Sequence, residues 1–165
     1  MTLPLSVGTD GNVKITVVLT IANTAAPTAA ELNAGTTVPA DGYITGDGYS
    51  ASAEQATVAD ERIGTTQTFE QPGRKTKSLS LTYVHNPASP TNNALFLALT
   101  EGADVYVVTR FGLPRTTTHA SAQKVQVWPV KCGEPMPQYN GANSVQTITQ
   151  KLFVTGDVKN PATVA

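Results

Sequence analysis

β-Branched residues constrain this chain more than any other feature. Thr occupies 25 of its 165 positions and Val another 17. Both lose χ1 freedom against the preceding turn of a helix, and both fit the pleated surface of a sheet. Among them stand 13 Gly and 11 Pro, which cut the chain into short elements. The reading is a mainly β fold. The length suits one domain, residues 1–165, large enough to bury a core without a disulfide or metal staple. Only 14% of residues are charged, against roughly 25% in an ordinary globular domain, so neutral polar side chains must cover much of the surface.

Several function classes drop out. No apolar run approaches the ~20 residues of a membrane span. Met1-Thr2-Leu3-Pro4-Leu5 has neither the basic nor the apolar stretch of a secretory leader, so none is expected. Cys132 has no second cysteine to pair with and no basic cluster to activate it, and it reads as an inert thiol. His85 precedes Asn86-Pro87 and His119 lies in a Thr-rich loop; both read as exposed loop residues rather than ligands or bases. Asp60 and Glu61 are adjacent, so in an extended chain they point to opposite faces. Asp41-Gly42 and Asp47-Gly48 lack the spacing of a Ca²⁺ loop and read as turns. The sequence holds no phosphate-binding loop, nucleophile elbow, Cys-x-x-Cys or His-Glu-x-x-His. It nominates no catalytic residue, no cofactor-binding residue and no metal ligand, and an enzyme is not expected.

Along the chain, residues 1–12 read as an N-terminal arm and Val13–Ile21 as a strand of β-formers. Thr28 with Glu31 three residues later makes a capping box for a short helix that Gly35 closes. Residues 46–62, small and polar, read as an extended loop leaving the domain body. Thr66–Glu70 and Lys75–Val84 read as strands about a Gln71-Pro72-Gly73-Arg74 turn, and Pro90 opens a helix that Gly102 ends. Strands are expected at Val105–Phe111, Lys124–Val130 and Ser144–Thr155, with Gly112–Ala122 a mobile loop, Cys132–Asn143 irregular and 156–165 a C-terminal arm. Trp128 reads as a packing anchor.

Two patterns bear on function. The strands carry Ser78, Ser80, Thr82, Gln146, Thr147, Thr149 and Gln150 where charge is usual. Such faces are wet but neutral: either an ordinary solvated sheet face, or the wall of a water-filled channel built from several copies. Charge is also split along the chain. Residues 1–73 carry eight acids and two bases, residues 74–165 nine bases and four acids. Neither half has the interleaved bases and aromatics of a nucleic-acid groove, and a bipolar chain suggests contact between copies of itself.

Four ordered segments carry a family resemblance. Pro27–Thr36 (PTAAELNAGT), Asp60–Asn86 (with DERIGTTQTFEQPG and SLSLTYVHNP), Lys124–Pro137 (KVQVWPVKCGEPMP) and Gln150–Val158 (QKLFVTGDV) resemble major tail tube proteins of long-tailed, siphovirus-type phages, especially actinobacterial ones. The resemblance implies a β-sandwich or open barrel with one flanking helix, a short N-terminal helix, a long loop and terminal arms. It implies hexameric rings stacked head to tail into a non-contractile tube, a conduit for genome ejection. Implied partners are the chain itself and other tail proteins (tape measure, terminator, distal tail), with DNA passing the lumen without specific binding and no membrane contact. The implied location is the virion tail, after synthesis in the host cytoplasm. On this reading Ser78, Ser80, Thr82, Thr147 and Thr149 are lumen-facing candidates. Glu54, Asp60, Glu61, Arg74, Lys75, Lys77 and Arg115 are ring-stacking candidates. The alternatives are a head–tail connector or tail terminator ring, and a carbohydrate- or surface-binding β-sandwich module, which would need Tyr43, Tyr49, Trp128 and Tyr139 to gather on one surface.

Overall fold

The computed structural model describes residues 3–165. Its strands are β1 (Val13–Val18), β2 (Val38–Pro39), β3 (Ile44–Asp60), β4 (Phe69–Val84), β5 (Asp104–Phe111), β6 (Lys124–Gln138), β7 (Thr147–Val154) and β8 (Lys159–Thr163). Two short helices, α1 (Ala29–Leu32) and α2 (Ala94–Ala98), complete it. The strands form one antiparallel sheet in the order β2-β1-β5-β6-β7-β4-β3, curled into a half-barrel, with β8 pairing β6. The mainly β expectation holds. Among the described residues no helix is long and apolar enough to cross a membrane.

Alternation decides which face each residue covers. Leu79, Leu81 and Tyr83 of β4, Ile148 and Leu152 of β7, Val105 and Val107 of β5, and Trp128 of β6 share one buried cluster with Leu95 and Leu99 from the α2 segment. On the other face, Val108, Val125 and Val127 pack with Leu32 of α1 and with Ala162 and Val164 near the C-terminus. The second cluster covers only the β1-β5-β6 side. Across β7, β4 and β3 the same face lies open.

Local chemistry explains the elements. Thr28 and Glu31 form the expected capping box, and the Glu31 carboxylate accepts from the Ala22 and Thr28 N–H groups at 2.8 Å each. Those bonds, that from Ala22 foremost, hold its carboxyl below the ordinary Glu range. The helix closes at Asn33 rather than at Gly35. The expected helix after Pro90 is a single 3₁₀ turn (Pro90–Asn92) followed by α2.

Four other expectations need correction. Residues 46–62 are not loop: all but the last two belong to β3, because β4 supplies a full ladder of partners from Tyr49↔Leu81 to Asp60↔Phe69. The Gln71–Arg74 segment is not a turn but a β-bulge inside β4. Between Gln55↔Lys75 and Thr57↔Pro72 the β4 side advances one residue further than β3. Gly73 is required there, since a Cβ would lie 2.8 Å from the Ala56 carbonyl oxygen. Cys132–Asn143 is mostly strand, with a second bulge beside Gly133. The C-terminal segment is no free arm: β8 pairs β6, Val158, Ala162 and Val164 are buried, and the Ala165 N–H donates to the Pro27 carbonyl at 2.9 Å.

The N-terminal segment behaves differently. From Leu3 to Gly8 it is extended and exposed, with Leu3, Leu5 and Val7 all uncovered. The first two residues of the expected arm lie outside the described residues.

Candidate functional site

The open face of β3, β4 and β7 is built by register. Ser52 lies opposite Ser78, Ser50 opposite Ser80, Ser80 opposite Lys151, Thr82 opposite Thr149 and Val84 opposite Thr147. Hydroxyls meet across both ladders: Ser52 Oγ and Ser78 Oγ at 2.7 Å, Thr82 Oγ1 and Thr149 Oγ1 at 2.9 Å. The structure therefore brings Ser78, Ser80, Thr82 and Thr149 onto one wet surface. Thr147 sits at its margin but is buried, its Oγ1 accepting from Asn140 Nδ2 at 2.8 Å. The surface is less uniform than its Ser/Thr pattern implied. Lys151, Phe153 and Met136 are also exposed on it, with the Lys151 ammonium 5.3 Å from the centre of the Phe153 ring. Gln150 leaves the set altogether. It points into the core, donating from Nε2 to the Leu99 and Gly133 carbonyls at 2.7 Å each and accepting from Tyr83 Oη at 2.9 Å.

The β3–β4 hairpin is the second feature. β7 pairs β4 only over Leu79–Val84, so from Ser78 outward the two strands have no other sheet neighbour. Nine residues of β3, Ser52–Asp60, project about 30 Å as a two-stranded ribbon. Six of the seven stacking candidates lie on this ribbon or its tip loop: Glu54, Asp60, Glu61, Arg74, Lys75 and Lys77. The charge split of the sequence thus does not separate onto two surfaces. Glu54 lies opposite Thr76, Lys75 and Lys77 lie opposite Gln55 and Ala53, and Glu70 lies opposite Ala59 on the lysines' face, so both signs share one ribbon. Part of this charge is already engaged. Asp60 takes a two-pronged contact from Arg62 at 3.0 and 2.9 Å, and Lys77 Nζ donates to the Val158 carbonyl at 3.0 Å. Val58, Ile63 and Phe69 add exposed apolar surface near the tip.

Arg115, the seventh candidate, is elsewhere and paired, 3.3 Å from Asp41. It belongs to a loop the sequence led us to expect as mobile and the structure holds. Arg110 on β5 is buried, and its guanidinium donates to the carbonyls of Thr118, Pro114 and Thr117 and to Gln123 Oε1, at 2.9–3.1 Å. Burial, opposed by nearby Asp41, lowers its pKa from the ordinary Arg value. His119 follows it inward. Expected as exposed, it is 3% exposed, with Nε2 3.3 Å from Thr16 Oγ1. Burial, helped by the positive charges of Arg110 and Lys14, pushes its pKa down to about 4, so the ring is neutral. No local signal in the sequence marks either burial; the apolar Val107-Val108 run beside Arg110 is the nearest hint.

Nothing in these surfaces assembles catalytic chemistry. Cys132 is buried, and burial followed by the Asp104 charge raises its thiol to about 11, which keeps it protonated. Among the described residues no three His, Cys, Asp or Glu side chains gather to hold a metal. The aromatics do not gather on one exposed surface: Trp128 is in the core with Tyr43 and Tyr49 packed against that cluster, and Tyr139 is exposed just past the end of β6.

A family model described as phage tail tube protein matches residues 1–165. Among solved structures, a chain of the anti-feeding prophage baseplate, determined by cryo-EM and six-fold symmetrised, superposes with a TM-score of 0.56. It is 14% identical, over 96% of this chain and 96% of that one. At that identity the likeness is one of fold. No curated protein matches the sequence.

Proposed function

Because the chain belongs to the phage tail tube protein family, we propose that its copies form six-membered rings stacked head to tail into the tube of a siphovirus-type tail, with the genome passing down the lumen. The observation that carries this reading is the open hydroxyl face of β3, β4 and β7 on a sheet with a free outer edge at β3. A free edge invites a strand from a neighbour. Joining edges around a ring would close a larger barrel and turn one face inward.

The roles then divide among the surfaces. Ser78, Ser80, Thr82 and Thr149 line the lumen with Lys151 among them, a wall mostly of hydroxyls with one ammonium per copy, short of the dense positive charge that would hold phosphates. The projecting hairpin reaches the next ring, its charges Glu54, Glu61, Arg74 and Lys75 setting polarity and its Val58, Ile63 and Phe69 adding apolar contact. Further partners on this reading are the other tail proteins that start, measure and end such a tube. The six-fold symmetrised baseplate that supplies the similar solved chain supports the ring count.

Negative-stain microscopy of the purified protein tests the proposal. Tubes of stacked rings support it; discrete rings that never stack indicate a connector or terminator instead. A protein that stays monomeric at high concentration and low salt contradicts it.

A further inference from the structure

The N-terminal arm and an apolar groove near Tyr139 sit at opposite ends of the molecule. The arm is rooted where β5 ends. Asn12 Nδ2 donates to the Gly8 carbonyl at 2.9 Å, Gly112 N–H donates to Asn12 at 2.9 Å, and Arg115 N–H donates to Gly11 at 2.8 Å. The pairing Thr109↔Gln126 sets that root beside the start of β6. Arg110 fixes the loop that holds the root, through its bonds to the Pro114 and Thr117 carbonyls. Among the described residues, Leu3 to Val7 make no backbone hydrogen bond to the rest of the protein, and Leu3, Leu5 and Val7 are 80%, 101% and 65% exposed.

The groove lies at the far end of β6, where β7 begins. It encloses about 550 Å³ and is lined by His85, Pro87, Pro137, Tyr139 and Val145, among others. Tyr139 is 94% exposed and Val145 60% exposed, while His85 is backed by the Phe96 ring at 4.8 Å. Apolar side chains left uncovered on both features are complementary in kind. They cannot meet within one chain. Leu3 to Gly8 reaches about 17 Å when extended, whereas the 15 residues of β6 that separate root from groove span roughly 45 Å.

We propose that the arm of one copy docks in this groove of a second copy, with Leu3 and Leu5 as anchors and Pro4 holding the segment extended. The proposal rests on the head-to-tail reading above. An arm at one end and its receptor at the other make a heterologous contact, which propagates along an axis instead of closing a dimer. Proline-bearing extended segments suit grooves lined by Pro and Tyr, because their ordering cost is low. Arg110 acts here as a positioning residue, aiming the arm by fixing its root.

The test places a photoreactive benzoylphenylalanine at position 5 in isotopically light protein, mixed with heavy wild-type protein under assembly conditions. The expected product joins position 5 of a light chain to residues 137–147 or 85–87 of a heavy chain. In parallel, Leu3→Ser with Leu5→Ser, both on exposed positions, should melt like wild type yet raise the concentration needed for assembly by about tenfold or more. Cross-links within one chain or onto the β3 edge overturn the docking proposal, as does unchanged assembly of the double variant, and each leaves the tube reading standing. A wild-type protein that never assembles overturns both.

Discussion

Tyr83 donates its phenol to Gln150 Oε1 at 2.9 Å on the covered face of the β4–β7 pair. One residue away on the open face, the Thr82 and Thr149 hydroxyls meet at the same separation. Polar side chains of similar type thus serve opposite ends according to strand parity. Gln150→Leu should strand the Tyr83 hydroxyl and the Leu99 and Gly133 carbonyls inside the core, at a cost of about 2–4 kcal/mol. Urea denaturation measures it. A loss under about 0.5 kcal/mol would show that these groups find other partners.

Ser80 tests the other parity. It is half-exposed, and its hydroxyl reaches only the Gln150 carbonyl at 3.3 Å. Ser80→Lys should change stability by less than about 1 kcal/mol and leave tube assembly intact. It adds a second ammonium per copy opposite Lys151, doubling the positive charge of that face, so phage carrying it should eject DNA more slowly. A variant that fails to fold would mean the face is buried, and the lumen assignment would be wrong.

Removing the guanidinium of Arg110 leaves the Thr117 carbonyl and Gln123 Oε1 without that donor, while the Pro114 carbonyl keeps the Thr117 N–H and the Thr118 carbonyl keeps Gln123 Nε2. Arg110→Met should cost about 2–4 kcal/mol and open residues 112–122 to protease. Peptide mapping after limited digestion reads the second effect. A loop that stays resistant would show that the Asp41–Arg115 pair suffices to hold it together with Asn33, whose Nδ2 donates to the His119 carbonyl at 2.8 Å and whose Oδ1 accepts from the His119 N–H at 3.0 Å.

His119 supplies a pH dependence with a fixed sign. Its ring titrates near 6.5 in an unfolded chain and at about 4 in the fold. Between those values the unfolded chain binds a proton that the folded one refuses, so stability is whole above pH 6.5 and declines as pH falls toward 4. The decline amounts to about 3 kcal/mol. Thermal melts of wild type and His119→Gln across this window should diverge, the variant lacking that share of the acid loss. Parallel curves would place the sensitivity in the carboxylates.

How much of this was legible in the sequence depends on how far the cause lies along the chain. The Thr28–Glu31 capping box is a contact three residues long, and it reads directly. So does the alternation from Ser78 to Tyr83, because its period is fixed by the pleat. Residues 46–60 looked like loop because Gly, Ala and Ser are weak strand formers; they extend because β4 pairs with them, a cause lying up to 32 residues away at Tyr49↔Leu81. The inward turn of Gln150, Arg110 and His119 depends on acceptors supplied by other segments, and no local pattern announces it. The C-terminal segment read as an arm because what docks it lies elsewhere: Val158 packs in the β4–β7 cluster, and Ala162 and Val164 pack with Leu32 of α1. Of the site residues, the four hydroxyls of β4 and β7 are placed together, while acids and bases distant in the sequence come onto one ribbon because β3 and β4 pair.

A cryo-EM reconstruction of assembled particles tests the central claim most directly. The account predicts stacked six-membered rings whose inner wall carries Ser78, Ser80, Thr82 and Thr149, with the β3–β4 hairpin crossing to the next ring. A reconstruction with that face turned outward, or sealed against a neighbouring subunit, would contradict it.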